Sequence, residues 1–190
     1  MIRRRTVSVI GDASLPESDG RYALARELGR ELVSGGYRVV TGGLGGCMEA
    51  VCRGARESPE YSEGDIIGIL PGYDPDEANE FVDVSLATGI FHSRNAIVAN
   101  SDSVMAIGGG SGTLSEMAMA WIMQRLLIAF RVEGWSGMLA DQRIDDRIRY
   151  PDIPDDRVYG VDTVEEAMGY LELLPRYNRN GFEPLRHGRI

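Results

Sequence analysis

Residues 101–120 read SDSVMAIGGGSGTLSEMAMA, which joins a short apolar run, a glycine-rich turn and an amphipathic segment. The run Ser103–Ile107 predicts a buried strand, because it is short, apolar and closed by glycine. The segment Leu114–Gln124 predicts a helix, which the loop Gly108–Thr113 opens. A strand, a glycine-rich turn and a helix in this order form the repeating unit of parallel α/β sheets.

The same unit recurs on both sides of this stretch. It predicts an α/β fold, a three-layer Rossmann-like and mainly parallel sheet with helices on both faces. The other predicted strands are Thr6–Ile10, Tyr37–Thr41, Ile66–Leu70 and Leu126–Val132, with short ones at Phe81–Ser85 and Val158–Val161. The other predicted helices are Asp19–Gly35, Cys47–Arg56, His92–Asn100 and Thr163–Leu174. The pattern predicts one nucleotide-binding domain at residues 1–174, followed by an arginine-rich C-terminal tail at 175–190.

The charge balance limits the classes of partner. The formal net charge of −9 disfavours a nucleic-acid binder, since affinity for the phosphate backbone requires a basic surface. No apolar run approaches the roughly 18 residues that span a bilayer, and the N-terminus lacks the pattern of a signal peptide. We therefore expect a cytoplasmic protein without a membrane partner.

The chain contains no lysine, so all 20 of its basic residues are arginine. A P-loop nucleoside triphosphatase needs its Walker lysine, and a pyridoxal-phosphate enzyme needs a Schiff-base lysine. Both classes are excluded. The two cysteines, Cys47 and Cys52, are five residues apart and have only two histidines to help them. We expect no metal site, and we interpret both thiols as small buried hydrophobic groups.

Three glycine-bearing loops follow predicted strands, and the carboxyl ends of parallel strands meet at one edge of a sheet. Helix N-termini bind anions through free backbone N–H groups, and glycine lets the backbone approach closely. The predicted phosphate- or nucleotide-binding residues in these loops are Gly11, Asp12, Ala13, Ser14, Gly42, Gly43, Gly46, Gly109, Gly110, Ser111, Gly112 and Thr113. No loop matches the dinucleotide fingerprint GxGxxG, and tight packing alone also produces glycine-rich turns.

Two charged residues near these loops have alternative interpretations. Thr113 and Glu116 have the spacing of a helix capping box, in which the glutamate bonds a backbone N–H. Glu116 is equally a candidate catalytic carboxylate. Arg94, on the predicted helix before the strand Ser103–Ile107, is either a surface arginine or a ligand of the substrate.

The run from Arg94-Asn95 through Gly108-Gly109-Gly110-Ser111-Gly112-Thr113-Leu114-Ser115-Glu116 resembles the signature of the LOG-like Rossmann superfamily. Members carry an arginine on a helix, then a strand and a PGGxGTxxE loop. The segment Thr41–Val51, with Met48, resembles another motif of that superfamily, and Val7–Ser14 resembles its first loop. The resemblance runs in order from residue 6 to about 174. Within the superfamily, the chain is most similar to the branch of molybdenum cofactor carriers and uncharacterised nucleotide-binding proteins.

The resemblance implies two functions. One is the binding of a phosphorylated nucleotide or a nucleotide-like ligand such as molybdenum cofactor, with Met48 and Asn95 added to the binding residues. The other is a phosphoribohydrolase that cleaves the N-glycosidic bond of nucleoside 5′-monophosphates, with Arg94 and Glu116 catalytic. We expect neither function to require a cofactor, the ligand itself being a nucleoside monophosphate or molybdenum cofactor. Asn95 stands where relatives have lysine, and Gly108 where they have proline.

The resemblance also implies a homodimer with the site near the subunit interface. Some relatives are called lysine decarboxylase-like, but the absence of lysine excludes that pyridoxal-phosphate chemistry. A regulatory or DNA-processing accessory module is a further alternative, which the acidic balance disfavours.

Overall fold

The computed structural model of the protein describes residues 3–177. Within that range seven strands form one sheet: β1 Thr6–Gly11, β2 Arg38–Thr41, β3 Ile66–Leu70, β4 Val84–Ala87, β5 Ser103–Ile107, β6 Leu126–Phe130 and β7 Tyr159–Val161. Their spatial order is β4-β3-β2-β1-β5-β6-β7, and every pair is parallel. The predicted α/β fold is therefore confirmed.

The helices of the described range cover both faces of the sheet. They are α1 Gly20–Ser34, α2 Cys47–Arg56, α3 Asn95–Val98, α4 Ser111–Ile122, α5 Trp135–Leu139, α6 Val164–Tyr170 and α7 Leu174–Tyr177. Short 3-10 helices lie at Pro75–Glu77, Phe91–Arg94 and Leu171–Leu173. Helix α1 starts where the Asp19 carboxylate accepts a hydrogen bond from Arg21 N at 2.9 Å, a side-chain cap of the kind expected for aspartate.

The strand order positions a ligand crevice. The chain leaves β1 towards β2, β3 and β4 on one side, and it returns to β5 on the other side of β1. In open parallel sheets, ligands bind beyond the carboxyl ends of the strands at such a reversal. One core layer packs α1, α2 and α6 on the first face, and a second core layer packs α3 and α4 on the opposite face.

Several elements differ from the sequence prediction. Helix α4 begins at Ser111, three residues before the predicted start at Leu114, because Gly110 rather than Thr113 caps it. The predicted helix His92–Asn100 is a 3-10 turn followed by the single-turn α3, and helix α5 was not predicted. Such short elements lack the apolar periodicity on which a helix prediction depends.

The described chain stays packed slightly past the predicted domain end at residue 174. Tyr177 is 3% exposed, and its hydroxyl contacts the Tyr159 hydroxyl and an Asp156 carboxylate oxygen at 2.8 Å each. The rest of the predicted arginine-rich tail, residues 178–190, lies outside the described residues, so the division into domain and tail stays a prediction. Among residues 3–177, no helix has the length and apolar character needed to cross a bilayer.

Candidate functional site

A cavity of about 340 Å³ opens where the ends of β1, β2, β3 and β5 meet the start of α4 and the turn before α3. Its volume lies at the lower end of the range for small-molecule sites. The cavity is lined by Ile10, Gly11, Asp12, Ala13, Gly42, Leu44, Met48, Pro71, His92, Arg94, Asn95, Gly110, Ser111, Gly112, Thr113 and Glu116. The fold therefore gathers residues more than 100 positions apart around one space.

Twelve of the predicted site residues line this cavity, and their contact with a ligand stays a prediction. The other four, Ser14, Gly43, Gly46 and Gly109, are not among the lining residues. The sequence interpretation missed Ile10, Leu44, Pro71 and His92, which also line it. His92 lies two residues before Arg94 on the same 3-10 turn, and that proximity was the one local signal for it.

Two of the glycines outside the lining shape the loops. Gly109 has a φ of +91°, and a Cβ there would lie 2.2 Å from the Thr113 hydroxyl oxygen. Gly46 has a φ of +65°, and its Cβ would lie 2.4 Å from the Asp12 carbonyl oxygen. Positive φ and this close approach both require glycine. These two glycines therefore determine the conformations of the loops whose other residues line the cavity.

Asp12 connects two of the loops through its carboxylate. One oxygen accepts hydrogen bonds from Gly109 N at 3.1 Å and from the Arg21 guanidinium at 2.8 Å. The Asp12 carbonyl accepts from Cys47 N at 2.8 Å, at the first residue of α2. The Asp12 carboxylate therefore holds the loop after β5 against the loop after β1. Asp12, Arg21 and Gly109 also line a neighbouring hollow of about 330 Å³, together with Ser14 and others.

The first turn of α4 presents backbone donors to the cavity. The intrahelical ladder begins with Leu114 N donating to Gly110 O at 3.0 Å, so the N–H groups of the preceding helical residues have no acceptor within the helix. Asn95 Nδ2 donates to Ser115 Oγ at 2.7 Å, and that hydroxyl donates to Gly112 O at 2.8 Å. Asn95 thus fixes the start of α4, in addition to lining the cavity.

Arg94 and Glu116 form a buried pair at the cavity wall. Arg94 is 9% exposed and Glu116 is 7% exposed, and their Nη1 and Oε1 atoms are 3.4 Å apart. Arg94 is therefore not a surface arginine. Glu116 is not a capping-box residue either, because Ser111 opens α4 and places Thr113 and Glu116 inside the helix. The Nε atom of Arg94 is buried without a hydrogen-bond partner in the described part of the chain.

Burial dominates the titration of this pair. Burial raises the pKa of Glu116 to about 7, and the charge of Arg94 opposes part of that rise. Burial also lowers the pKa of Arg94, which the Glu116 charge partly offsets. A carboxyl group with a pKa near neutrality can exchange a proton at physiological pH.

The two cysteines lie beside the site and not in it. Both are 0% exposed and free, as their interpretation as buried hydrophobic groups predicted. Burial raises the pKa of Cys47 to about 12 and that of Cys52 to about 11, so both thiols stay protonated and unreactive at neutral pH.

Comparisons with known proteins agree with this architecture. The sequence model of the SLOG cluster4 family matches residues 4–167. An uncharacterized protein of Archaeoglobus fulgidus is 37% identical over 115 residues, which are 60% of this chain and 72% of that protein.

Solved structures give the same result for the fold. The molybdenum cofactor binding protein of Rippkaea orientalis superposes with a TM-score of 0.74 at 26% identity, over 92% of this chain and 99% of its own. The protein TM1055 superposes with a TM-score of 0.74 at 30% identity, over 88% of this chain and 98% of its own. These structures confirm the predicted resemblance to LOG-like Rossmann proteins.

Proposed function

The chain belongs to the SLOG cluster4 family, and we propose that it binds a small phosphorylated ligand of nucleotide type in the cavity described above. The observation that carries the proposal is the convergence of the α4 N-terminus and the buried Arg94 on one cavity. The N–H groups of the first α4 turn and the guanidinium supply an anion with hydrogen bonds and positive charge. The ligand's phosphate occupies the space in front of Gly110–Thr113.

Arg94 is placed to bind the ligand directly. Its guanidinium lies across Gly42, where an added Cβ would be 2.6 Å from Nη1. Its contact with Glu116 uses Nη1, at the long distance of 3.4 Å. A ligand anion offers this buried cation a better acceptor than Glu116 does, since charge-assisted bonds are strongest at shorter distances.

A carrier role is the form of this proposal that the relatives favour. The Rippkaea orientalis neighbour is a molybdenum cofactor binding protein. Molybdenum cofactor is a phosphorylated pterin, and a helix N-terminus suits its phosphate. A carrier needs tight binding and no turnover. The ligand is then molybdenum cofactor, held by its phosphate at the α4 N-terminus.

The buried carboxyl group of Glu116 favours hydrolysis as the second candidate. In a nucleoside 5′-monophosphate, the water oxygen bonds to the sugar C1′ while the N-glycosidic bond breaks, and the departing base takes up a proton from solvent. Positive charge develops on the ribose in this step. The Glu116 carboxylate would stabilise that charge and accept a proton from water, while Arg94 holds the phosphate. The pKa of about 7 supplies both protonation states near neutral pH.

One incubation separates the two candidates. Purified protein and Glu116→Gln are each mixed with a panel of nucleoside 5′-monophosphates, and free base is measured by chromatography. Release by the native protein and not by the variant establishes the hydrolase. Thermal stabilisation by ligand without release establishes the binding role, with molybdenum cofactor the next ligand to test. The proposal would be refuted if the phosphorylated ligands caused no release of base and no thermal stabilisation.

Arg94→Met tests the phosphate contact. We expect binding of a nucleoside 5′-monophosphate to weaken roughly 10- to 100-fold, because a charge-assisted hydrogen bond is lost from a buried site. Arg30→Met, at an exposed arginine of α1, is the matched control and should bind like the native protein. Equal affinities of all three proteins would remove Arg94 from the site.

We also propose that the protein forms a homodimer, in which a second copy of the chain covers exposed apolar side chains on one face of the sheet. Val84 and Leu86 of the edge strand β4 are 40% and 48% exposed, on the same face as α3 and α4. Ile97 and Ile122 on those helices are 47% and 46% exposed. A homodimer would bury these apolar groups. Light scattering should give twice the chain mass for the native protein and a lower mass for Leu86→Asp.

A further inference from the structure

Two aromatic side chains, Tyr73 and Phe91, form what we call the aromatic rim. Tyr73 is 80% exposed and Phe91 is 62% exposed, and their ring centroids are 6.4 Å apart in an edge-to-face arrangement. Each ring leaves the chain within two residues of the cavity lining, since Pro71 and His92 both line it. Neither ring is itself among the lining residues, but Tyr73 and Phe91 belong to the two segments that supply Pro71 and His92 to the cavity wall.

Backbone hydrogen bonds connect the two segments that carry the aromatic rim. Phe91 N donates to Pro71 O at 3.0 Å, and Gly89 N donates to Gly72 O at 2.8 Å. Gly89 has a φ of +65°, and a Cβ there would lie 2.3 Å from the Tyr73 ring. The Tyr73 ring thus packs directly over glycine, and the two segments that carry the rim are bonded to each other.

Phe91 has a backbone conformation that a bulky residue rarely adopts. Its φ is +50°, in the left-handed region that favours glycine and asparagine. The ring at this position is mostly exposed, so the packing of the described chain does not explain it. Strained positions of this kind concentrate at ligand sites, where the surrounding structure holds them.

We infer that the aromatic rim stacks on the planar heterocycle of the ligand, a purine or a pterin ring. This inference rests on the proposed function, because the phosphate must be held at the α4 N-terminus for the ring to reach Tyr73 and Phe91. Every nucleobase and pterin has a π-face, so aromatic side chains bind such rings with little dependence on their hydrogen-bonding edges. Ligands that carry a flat ring should therefore bind more tightly than sugar phosphates, which lack one.

Phe91→Gly tests this inference without threatening the fold, since glycine suits the observed φ. Binding of AMP and of ribose 5-phosphate is measured by calorimetry for the native protein, Phe91→Gly and Phe91→Tyr. We expect Phe91→Gly to bind AMP roughly 5- to 100-fold more weakly, with ribose 5-phosphate affected less than twofold and Phe91→Tyr like the native protein. Ile148→Gly, at another exposed loop residue (71%), is the matched control. A parallel titration with a phosphorylated pterin shows which ring suffers the larger loss.

Three results would overturn the inference. Native affinity of Phe91→Gly for both AMP and the pterin would show that the ring makes no contact, while the proposed function stands. Equal losses of AMP and ribose 5-phosphate would place Phe91 in the phosphate site instead. A lower mass of Phe91→Gly in light scattering, with AMP binding intact, would make the rim a contact between copies. If the native protein binds none of these probes, the proposed function itself fails.

Discussion

At the residue scale, Glu116 is a carboxyl group that folding largely removes from water, since it is 7% exposed. Its ordinary pKa is 4.5, and burial raises the pKa to about 7 in the folded protein. Between these two values the folded state holds a proton that the unfolded chain has released. The free energy of unfolding therefore falls as pH rises from about 4.5 to 7, because the charged carboxylate is disfavoured in the folded state.

Glu116→Gln removes this dependence. We expect the stability of the variant relative to the native protein to increase between pH 5 and pH 8, by at most about 3 kcal/mol, since one pKa unit corresponds to about 1.4 kcal/mol. Denaturant unfolding of both proteins at several pH values measures the difference. Glu27→Gln, at an exposed residue of α1, is the control. A difference that is constant across this pH range would show that Glu116 titrates normally.

Single residues also show where sequence reasoning reached its limit. The glycine loops are predicted from residue type and position, whereas Arg94 and Glu116 are assigned to the site by the family resemblance, because spacing alone leaves their alternatives open. The role of Asp12 depends on Arg21 and on Gly109, which lies 97 positions away. His92 and Pro71 line the cavity only because of how the strands are ordered. Contacts of that kind follow from the tertiary structure, which no local pattern records.

At the element scale, α1 and α2 pack backbone against backbone. A Cβ on Gly54 of α2 would lie 1.7 Å from Arg26 O, and one on Gly29 of α1 would lie 2.0 Å from Val51 O. Both glycines lie within the predicted helices, where glycine is intrinsically unfavourable. Their benefit is the close approach of the two helices, which the sequence alone did not reveal.

Gly54→Ala tests this helix contact. We expect a loss of roughly 3 kcal/mol in the free energy of unfolding, because the methyl group forces the helices apart. Gly169→Ala in α6, where nothing lies within 4 Å of the added Cβ, should stabilise the protein slightly through helix propensity. Urea titrations of the two variants give the comparison. Equal stabilities would show that α1 and α2 adjust without cost.

A buried ion pair anchors the segment before β7. Arg149 binds Asp156 through two hydrogen bonds of 2.8 Å and 2.6 Å, with both side chains 2% exposed. The Arg149 guanidinium carbon lies 3.6 Å from the centroid of the Trp121 ring, and Tyr177 also donates to Asp156. This cluster joins the end of α4, the segment before β7 and α7.

Arg149→Leu should destabilise the protein by about 3–5 kcal/mol, because it leaves the Asp156 carboxylate buried without a cation. Arg26→Leu is the matched control, since the Arg26–Glu57 pair has side chains 44% and 39% exposed. The control should change stability by about 1 kcal/mol or less. Thermal unfolding of both variants measures this. A similar small effect for Arg149→Leu would show that Asp156 finds other partners.

At the scale of the whole molecule, the net charge of −9 disfavours the binding of long polyanions more than that of small anionic ligands. A long polyanion meets the repulsion of the whole surface, whereas a single phosphate meets the local field of Arg94 and the α4 N-terminus. We expect no shift of single-stranded DNA by the protein at 0.15 M salt, measured by gel mobility. A salt-sensitive shift would instead support a DNA-processing role. Ligand-dependent thermal stabilisation in the same buffer is the positive control.

The Asp12 carboxylate has a kinetic consequence. Because it bonds both Gly109 N and Arg21, it holds the loop proposed to bind the phosphate in one conformation. Association then requires little ordering of the chain, so more of the contact energy is retained as affinity. Binding becomes closer to the docking of two rigid bodies, so differences in affinity between ligands should appear mainly in their dissociation rates.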